Sequence, residues 1–408
     1  MLADDAGEVQ AIAAEQGLID PAKIAQETGR SLRPQPFDPS TPTSAVPGAY
    51  GVPVLVDQRL VNQPDIALAT EQLGSYVKAS SADLVAEHNE TYLVAFTLPL
   101  SAEPTDGGAA DDRSRIEASV ADLTDLRMQQ RLDETLHIPP LPDAARRIIT
   151  LRADPDFEIS ALVAIIENDP SMAARIMGWA NSAFYNVETP ARSIADAVMR
   201  VLGFDTASSM ALGLALGETL RLPKAHVQGL PPYWLEAVFT AATMEALARR
   251  MASKDRPNLG LCYLTGLLAN FGTLVVGHVF PPQYQMICAL QEANRHLPRT
   301  QVDEHVIKVP RELIAAALLE AWGLPTAVSE SVRFQYASDY AGPNATFVRL
   351  TQVARRTLAN LGLGDYPAGP VDDPTLDQLG LEPADVTEVA DQVSESESQL
   401  EAVAQAYA

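Results

Sequence analysis

From Arg113 to Leu363 apolar residues recur at three- and four-residue spacing without sustained two-residue alternation, which predicts an all-helical region. Ile159–Ile166 (ISALVAII) predicts one helix, stopped at Asp169-Pro170 because proline disfavours helical geometry in the residue before it. Ser171–Asn181 predicts the next, with Met172, Ile176 and Trp179 on one face. Ile194–Leu202 follows, ending at Gly203 as a left-handed terminator. Longer helices are expected over Tyr233–Met251, Leu259–Val279, Pro281–His296, Arg311–Trp322, Thr326–Ala337 and Thr346–Leu361. Those between Tyr233 and Val279 are apolar around much of their circumference, which places them at the centre of a bundle.

Upstream the pattern differs. Gly51–Asp57 (GVPVLVD) and Thr91–Leu98 (TYLVAFTL) are β-branched and aromatic runs between turn residues, which predicts buried strands. Asp20–Thr28, opened by Asp-Pro and closed by Gly29, predicts a helix, as does Ser80–Glu90 with Ser80 or Ser81 as its cap. The Pro-, Gly-, Ala- and Asp-rich stretch Pro99–Asp112 predicts a linker. The expected domains are therefore an α/β unit at 1–98, a linker at 99–112, a helical domain at 113–364 and an acidic helical tail at 365–408. That tail holds eleven Asp or Glu and no Lys or Arg, with a thin apolar stripe of Val386, Val389, Val393, Leu400 and Val403 that predicts docking at an edge.

The 408 residues, 47% hydrophobic and 20% charged, are ordinary globular composition, which excludes wholesale disorder and disulfide-scaffold readings. With 29 Lys+Arg against 53 Asp+Glu, the formal net charge of −24 disfavours nucleic acid and anionic lipid as partners. Cys262 and Cys288 share no CxxC spacing and read as reduced core thiols. The N-terminal sequence lacks a signal-peptide pattern and no apolar run of about 18 residues escapes a charge or turn breaker, so a cytoplasmic protein without a membrane span is expected.

The chemistry-bearing patterns are mostly missing. The sequence has no Walker or dinucleotide glycine loop, no GxSxG and no HExxH. Its six histidines, His88, His137, His226, His278, His296 and His305, are scattered, and helical metal sites need imidazoles and carboxylates converging from adjacent helices. His278 reads as a lone helix histidine, and His305 with Asp303 and Glu304 as a polar connection.

The segment from His137 to Leu363 resembles the HDOD (HD-related output) domain, a helical bacterial signalling module related to the HD phosphohydrolases. The matching residues are Leu141-Pro142, Asp169-Pro170 and Asn181-Ser182 within IENDPSMAARIMGWANSAFYN, Ile194-Ala195-Asp196-Ala197, Leu202-Gly203, and Trp322-Gly323-Leu324-Pro325. Each also has a structural use: Asp169-Pro170 can cap one helix and open the next, and Asn181 can close a helix end by binding its free carbonyls or taking positive φ. The resemblance implies metal ligands, a His, a His-Asp pair and later His or Asp residues, and this chain departs from every one. Glu236 stands at the first position, Asn270 in Leu267-Leu268-Ala269-Asn270 at the pair, Arg311 at the later His, and Gln335 in Arg333-Phe334-Gln335-Tyr336 at the last. These residues do not make a divalent-metal set, so neither catalytic residue, metal nor cofactor is expected. They define instead a candidate groove of Glu236, Asn270, Arg311 and Gln335, in which an ion pair between Glu236 and Arg311 would replace a metal.

Val46–Asp57 with Ser80–Leu84 resembles the back half of a YbaK-like prolyl-tRNA editing domain, whose deacylase uses an early-strand lysine and a GxxxP glycine. Here the chain starts too late for that strand, Lys23 sits in a predicted helix, and Thr43 replaces the glycine in Thr43-Ser44-Ala45-Val46-Pro47. The fold class expected is mainly α, a compact helical HDOD-like domain behind a small α/β editing-like domain. The function expected is noncatalytic signalling or scaffolding, through a protein partner or a nucleotide ligand. The alternatives are a divergent HD-type nucleotide phosphodiesterase and a residual aminoacyl-tRNA deacylase.

Overall fold

In the computed structural model the residues described are 1–15, 17–35, 44–61, 63, 65–70, 75–80, 84, 90–99, 112, 114–119, 141–154, 156–182, 185, 189–220, 226–295 and 297–407. The strands are β1 (Leu2–Asp4), β2 (Gly7–Ile12), β3 (Gly17–Ile19), β4 (Arg33–Pro34), β5 (Val54–Asp57), β6 (Ile66–Ala69), β7 (Tyr76–Ala79), β8 (Thr91–Val94) and β9 (Thr97–Pro99). The helices begin with α1 (Pro21–Thr28), α2 (Asp143–Ala153), α3 (Ile159–Glu167), α4 (Pro170–Ala180), α5 (Ile194–Asp196), α6 (Gly203–Thr219), α7 (Tyr233–Arg250), α8 (Leu259–Leu268) and α9 (Phe271–Val279). They continue as α10 (Pro281–Ala293), α11 (Arg299–Ile307), α12 (Arg311–Ala321), α13 (Thr326–Phe334), α14 (Ala345–Asn360), α15 (Asp373–Leu379), α16 (Pro383–Glu395) and α17 (Glu397–Tyr407). The molecule is mainly helical with a small mixed sheet before the helices. It divides into one unit of Met1–Asp106, Ala225–Gly229 and Pro282–Lys308, and a second of Gly107–Lys224, Leu230–Pro281 and Val309–Ala408.

In the first unit a five-stranded sheet runs in the order β4-β1-β2-β5-β8. Its β5 lies between parallel neighbours β2 and β8, so all four of its residues are buried and its side chains alternate between two apolar faces. Leu55 packs with Leu2, Val9, Ile24, Leu32, Val94 and Phe96, while Val54 and Val56 pack with Ile12, Leu60, Leu68 and Leu84. The β1–β2 hairpin and β3 were not legible in the sequence, because three- and six-residue strands carrying Asp4, Glu8 and Gln10 show too little alternation. The run Thr91–Leu98 is two strands rather than one. The buried Asp57 carboxylate accepts the amides of Phe96 (3.1 Å) and Thr97 (2.8 Å), and the chain leaves β8 there to pair β9 with β3. Helix α1 forms as its punctuation predicts: Asp20 accepts from the Ala22 and Lys23 amides, Pro21 opens the first turn, and Gly29 closes it at φ 68°. The expected helix at Ser80–Glu90 lies outside the described residues except for Leu84 and the end residues Ser80 and Glu90, and the expected linker except for Pro99 and Asp112.

Residues 282–308 fold with this unit, where Asn294 acts as a substitute strand neighbour. Its Oδ1 accepts the Ile19 amide at 2.7 Å and its Nδ2 donates to the Ile19 carbonyl at 2.8 Å. The polar connection expected around His305 is helix α11, with Asp303 and Glu304 buried. Only Val302, Val306 and Ile307 are apolar in that helix, too few to print a stripe.

In the second unit α7 is the axis: every residue from Glu236 to Ala248 is buried. Helix α6, whose bounds the periodicity of this helical region did not mark, is buried continuously from Thr206 to Leu216, and a helix covered on all sides has no polar face to delimit it. The bounds of α2 and α15 were likewise not marked, although both fall in segments expected to be helical. Gly203 ends the segment as expected, though what it closes is a π-helical turn, Ala197–Leu202, and at φ 76°, ψ 163° it is not in the left-handed helical conformation but bends the chain into α6. Leu259–Val279 breaks at Ala269-Asn270 into α8 and α9, and the terminal helix divides at Ser396 into α16 and α17. The stretch Leu259–Val279 is long and apolar enough to cross a membrane by composition, yet 83% of that window is buried inside the fold.

Small residues let these helices approach backbone to backbone. A Cβ on Gly266 of α8 would stand 2.6 Å from Ala241 Cα and 2.8 Å from Ala241 N of α7. Tyr263, one turn earlier, packs edge-on against Trp179 with centroids 5.3 Å apart. Since the obstacle to a methyl group is main chain, Gly266→Ala is expected to cost about 1–3 kcal/mol. Urea denaturation of the variant against the native chain measures it, and an unchanged midpoint contradicts the close approach.

Candidate functional site

On α14 the positions Val348, Thr351, Arg355 and Leu358 share one face at helical spacing, and all four are buried. Arg355 therefore carries its guanidinium into the core, where it is 1% exposed. A charge so placed is tolerated only with compensating charge and hydrogen bonds. Nη1 donates to Gln335 Oε1 and to Tyr336 Oη (3.3 Å). Nη2 donates to Glu236 Oε1 (3.5 Å) and to Asp365 Oδ1. The rings of Tyr336 and Tyr366 stack with centroids 5.2 Å apart and 9° between planes, and Arg355 Cζ lies 5.6 and 5.2 Å from their centres. Burial pushes the Tyr366 hydroxyl above its ordinary pKa, against the smaller opposite pull of Arg355 and Arg356. That hydroxyl donates to the Gln335 carbonyl at 2.9 Å.

The four groove candidates are all buried. Glu236, in the first turn of α7, meets Arg355 and also accepts the Asp365 amide at 3.3 Å. Gln335, at the end of α13, donates to the carbonyls of Ala269 (2.9 Å) and Val332 (2.8 Å). Asn270 follows Ala269 directly, and Arg311 donates to Thr273 Oγ1 at 3.1 Å on the next turn. A Cβ on Gly272 would meet the Arg311 carbonyl oxygen at 2.6 Å, so α9 and α12 touch there. What the sequence reading missed is Arg355, with Asp365 and Tyr366. The legible signal was an arginine on the apolar face of an otherwise amphipathic helix.

The remaining motif residues are structural where described. Asp169 accepts from the Ser171 (2.9 Å) and Met172 (3.1 Å) amides, with Pro170 in the first turn of α4. Asn181 neither binds its helix's carbonyls through its side chain nor takes positive φ. At φ −97° its amide exchanges two hydrogen bonds with the Ala191 backbone, at 2.6 and 3.1 Å, and pins the returning loop. Ser182 continues the turn by donating its amide to the Trp179 carbonyl at 2.9 Å. Leu202 is buried just before the bend at Gly203. Trp322 packs edge-on to Phe271 at 5.9 Å; the Leu324 amide then returns to the Leu319 carbonyl, and Pro325 leads into α13.

A second buried acid lies on α7. Glu245 accepts from Arg249 of its own helix and from Tyr185 Oη at 3.2 Å. Desolvation outweighs these partners and holds its pKa above the usual carboxylate range. Burial, with Glu245 adding to it, also pushes the Cys262 thiol up, which keeps it protonated and inert as a nucleophile. His88, His137 and His296 lie outside the described residues. Among the described residues no group of three or more His, Cys, Asp and Glu converges as a metal-binding set.

Comparison with known proteins fits this architecture. The model of the HDOD domain matches residues 138–338. A candidate signal transduction protein from Marinobacter aquaeolei VT8 superposes with a TM-score of 0.84 at 33% identity, over 100% of this chain and 92% of that one. This chain belongs to the HDOD-domain family. An HDOD domain protein of unknown function from Geobacter sulfurreducens shares the fold, with a TM-score of 0.59 at 19% identity over 71% of this chain and 98% of that chain. An uncharacterized protein of Treponema pallidum (strain Nichols) is 27% identical over 228 residues, 56% of this chain. The chain spans about 41% of the length of that relative.

Two outcomes follow for the HDOD core. Arg355→Met leaves the buried carboxylate of Glu236 and the half-buried one of Asp365 without their cation and is expected to lower stability by about 3–5 kcal/mol, measured by urea denaturation. For Glu245 the native state holds its proton to a higher pH than the unfolded chain does, so its contribution to stability falls as pH rises from about 4.3 through the raised pKa. Glu245→Gln removes that loss, and the stability of the variant relative to the native chain should climb across the window. A difference that stays flat with pH contradicts the raised pKa.

Proposed function

We propose that this protein is a noncatalytic signalling or scaffolding member of the HDOD family. The observation that carries this reading is the guanidinium of Arg355, seated between Glu236 and Gln335, two of the positions where the family resemblance implies metal ligands. The core there is occupied by the chain's own cation, and the surrounding groups are matched to it rather than to a reacting substrate. The resemblance to a candidate signal transduction protein at 33% identity supports a protein partner, with a nucleotide as the ligand of a second arm of the test. The N-terminal unit is read as an editing-like module without deacylase chemistry: Lys23 lies on α1, and β1, β2 and β3 carry no lysine. A cytoplasmic setting is part of this reading, supported by the burial of the one described stretch apolar enough to span a membrane.

Metal analysis of the purified full chain, with a phosphodiesterase screen over linear and cyclic nucleotides and thermal shift with the same compounds, tests the reading. Less than stoichiometric Mn, Fe or Ni and no turnover are expected. Stoichiometric metal with hydrolysis overturns it, and a nucleotide-dependent shift without hydrolysis identifies a ligand sensor.

A further inference from the structure

We propose that the groups around Arg355 form a guanidinium cradle, a preorganised site for a planar organic cation rather than for a divalent metal ion. Four oxygens, Gln335 Oε1, Tyr336 Oη, Glu236 Oε1 and Asp365 Oδ1, face the two terminal nitrogens, two acceptors to each. Those nitrogens carry four N–H bonds, so acceptors and donors match in number and in their planar fork.

Two of the four acceptors, Gln335 Oε1 and Glu236 Oε1, are aimed by bonds that do not involve Arg355. Both Gln335 Nε2 bonds go to backbone carbonyls, which turns Oε1 toward the guanidinium. The Asp365 amide holds Glu236 Oε1, and Tyr366 is fixed through its hydroxyl on the Gln335 carbonyl. The stacked Tyr336 and Tyr366 rings add two π faces within 6 Å of Cζ, an environment that favours a delocalised, weakly hydrated cation. A metal ion would instead require oxygens converging on one point at about 2.0–2.6 Å. The cradle draws on α7, on the end of α13 and on the segment after α14, so its occupant also ties Asp365 and Tyr366 to the helical core.

The proposal rests on the metal-free reading of this site, and the two fail separately. Metal and turnover in the native chain would sink that reading, whereas the cradle is tested in Arg355→Ala. In the full-length variant, thermal unfolding is followed with added ethylguanidinium, ethylammonium and Mn²⁺. Ethylguanidinium should stabilise the variant saturably, with apparent affinity on the order of ten-fold above ethylammonium, and should leave the native chain unshifted. Asp365→Asn introduced into the same variant should weaken that response. A folded variant that gains nothing from ethylguanidinium, or gains as much from Mn²⁺, overturns the proposal. If Arg355→Ala is recovered only as aggregate, the yield of soluble protein on refolding is the readout: a higher yield with ethylguanidinium than with Mn²⁺ supports the cradle, and equal yields overturn it.

Discussion

A guanidinium in a protein core sets conditions on everything near it. Among the described residues Arg355 is the second-largest of the fully buried side chains, and its charge must be met by carboxylates brought from elsewhere in the chain. Glu236 arrives from the first turn of α7, Asp365 from the segment after α14, and Gln335 from the end of α13. Those three elements are distant in sequence, and the requirement to neutralise one cation fixes them together. The acidic C-terminal region therefore begins with a carboxylate that has a definite structural task, whereas much of the acid beyond it is solvated helix surface.

The helical core can hold such a group because the rest of it is packed with small residues and has little freedom to yield. Gly266 on α8 brings that helix onto the backbone of α7, and Gly260 lies so close to Asp205 that a Cβ would stand 2.2 Å from its carbonyl carbon. Polar side chains inside the bundle mostly turn back to their own helix: Thr240, Thr243 and Thr265 each donate to the carbonyl four residues earlier. The sheet-bearing unit solves its equivalent problem with two buried side chains. Asp57 gathers the amides at the β8–β9 bend, and Asn294 supplies the hydrogen bonds that a strand would offer β3.

These features shape the functional reading. Membership of the HDOD family places the chain beside signalling and phosphohydrolase-related folds without deciding whether it turns over a substrate. The noncatalytic role proposed above rests on the chemistry around Arg355. A guanidinium held by two carboxylates, an amide and a phenol has no spare nucleophile, and Cys262 behind Glu245 is held in its unreactive thiol form.

The sequence by itself determined the helical class of the larger part, the buried strand Val54–Asp57, the punctuation of α1 and α4, and the family. Each depends on local chemistry, a period, a cap or a proline, that acts within a few residues. It also named Glu236 and Gln335, because a departure from an expected residue is visible in the letters alone. Only the tertiary structure decided what fills the space between them. Sequence can show Arg355 on the apolar face of an amphipathic helix but not its partners: Asp365 reads as the first of many acids, and an ion pair to Glu236 across 119 positions leaves no periodic trace. The bounds of α6 and α11 were hidden for local reasons: a helix buried on every side has no polar face, and one with only three apolar residues prints no stripe.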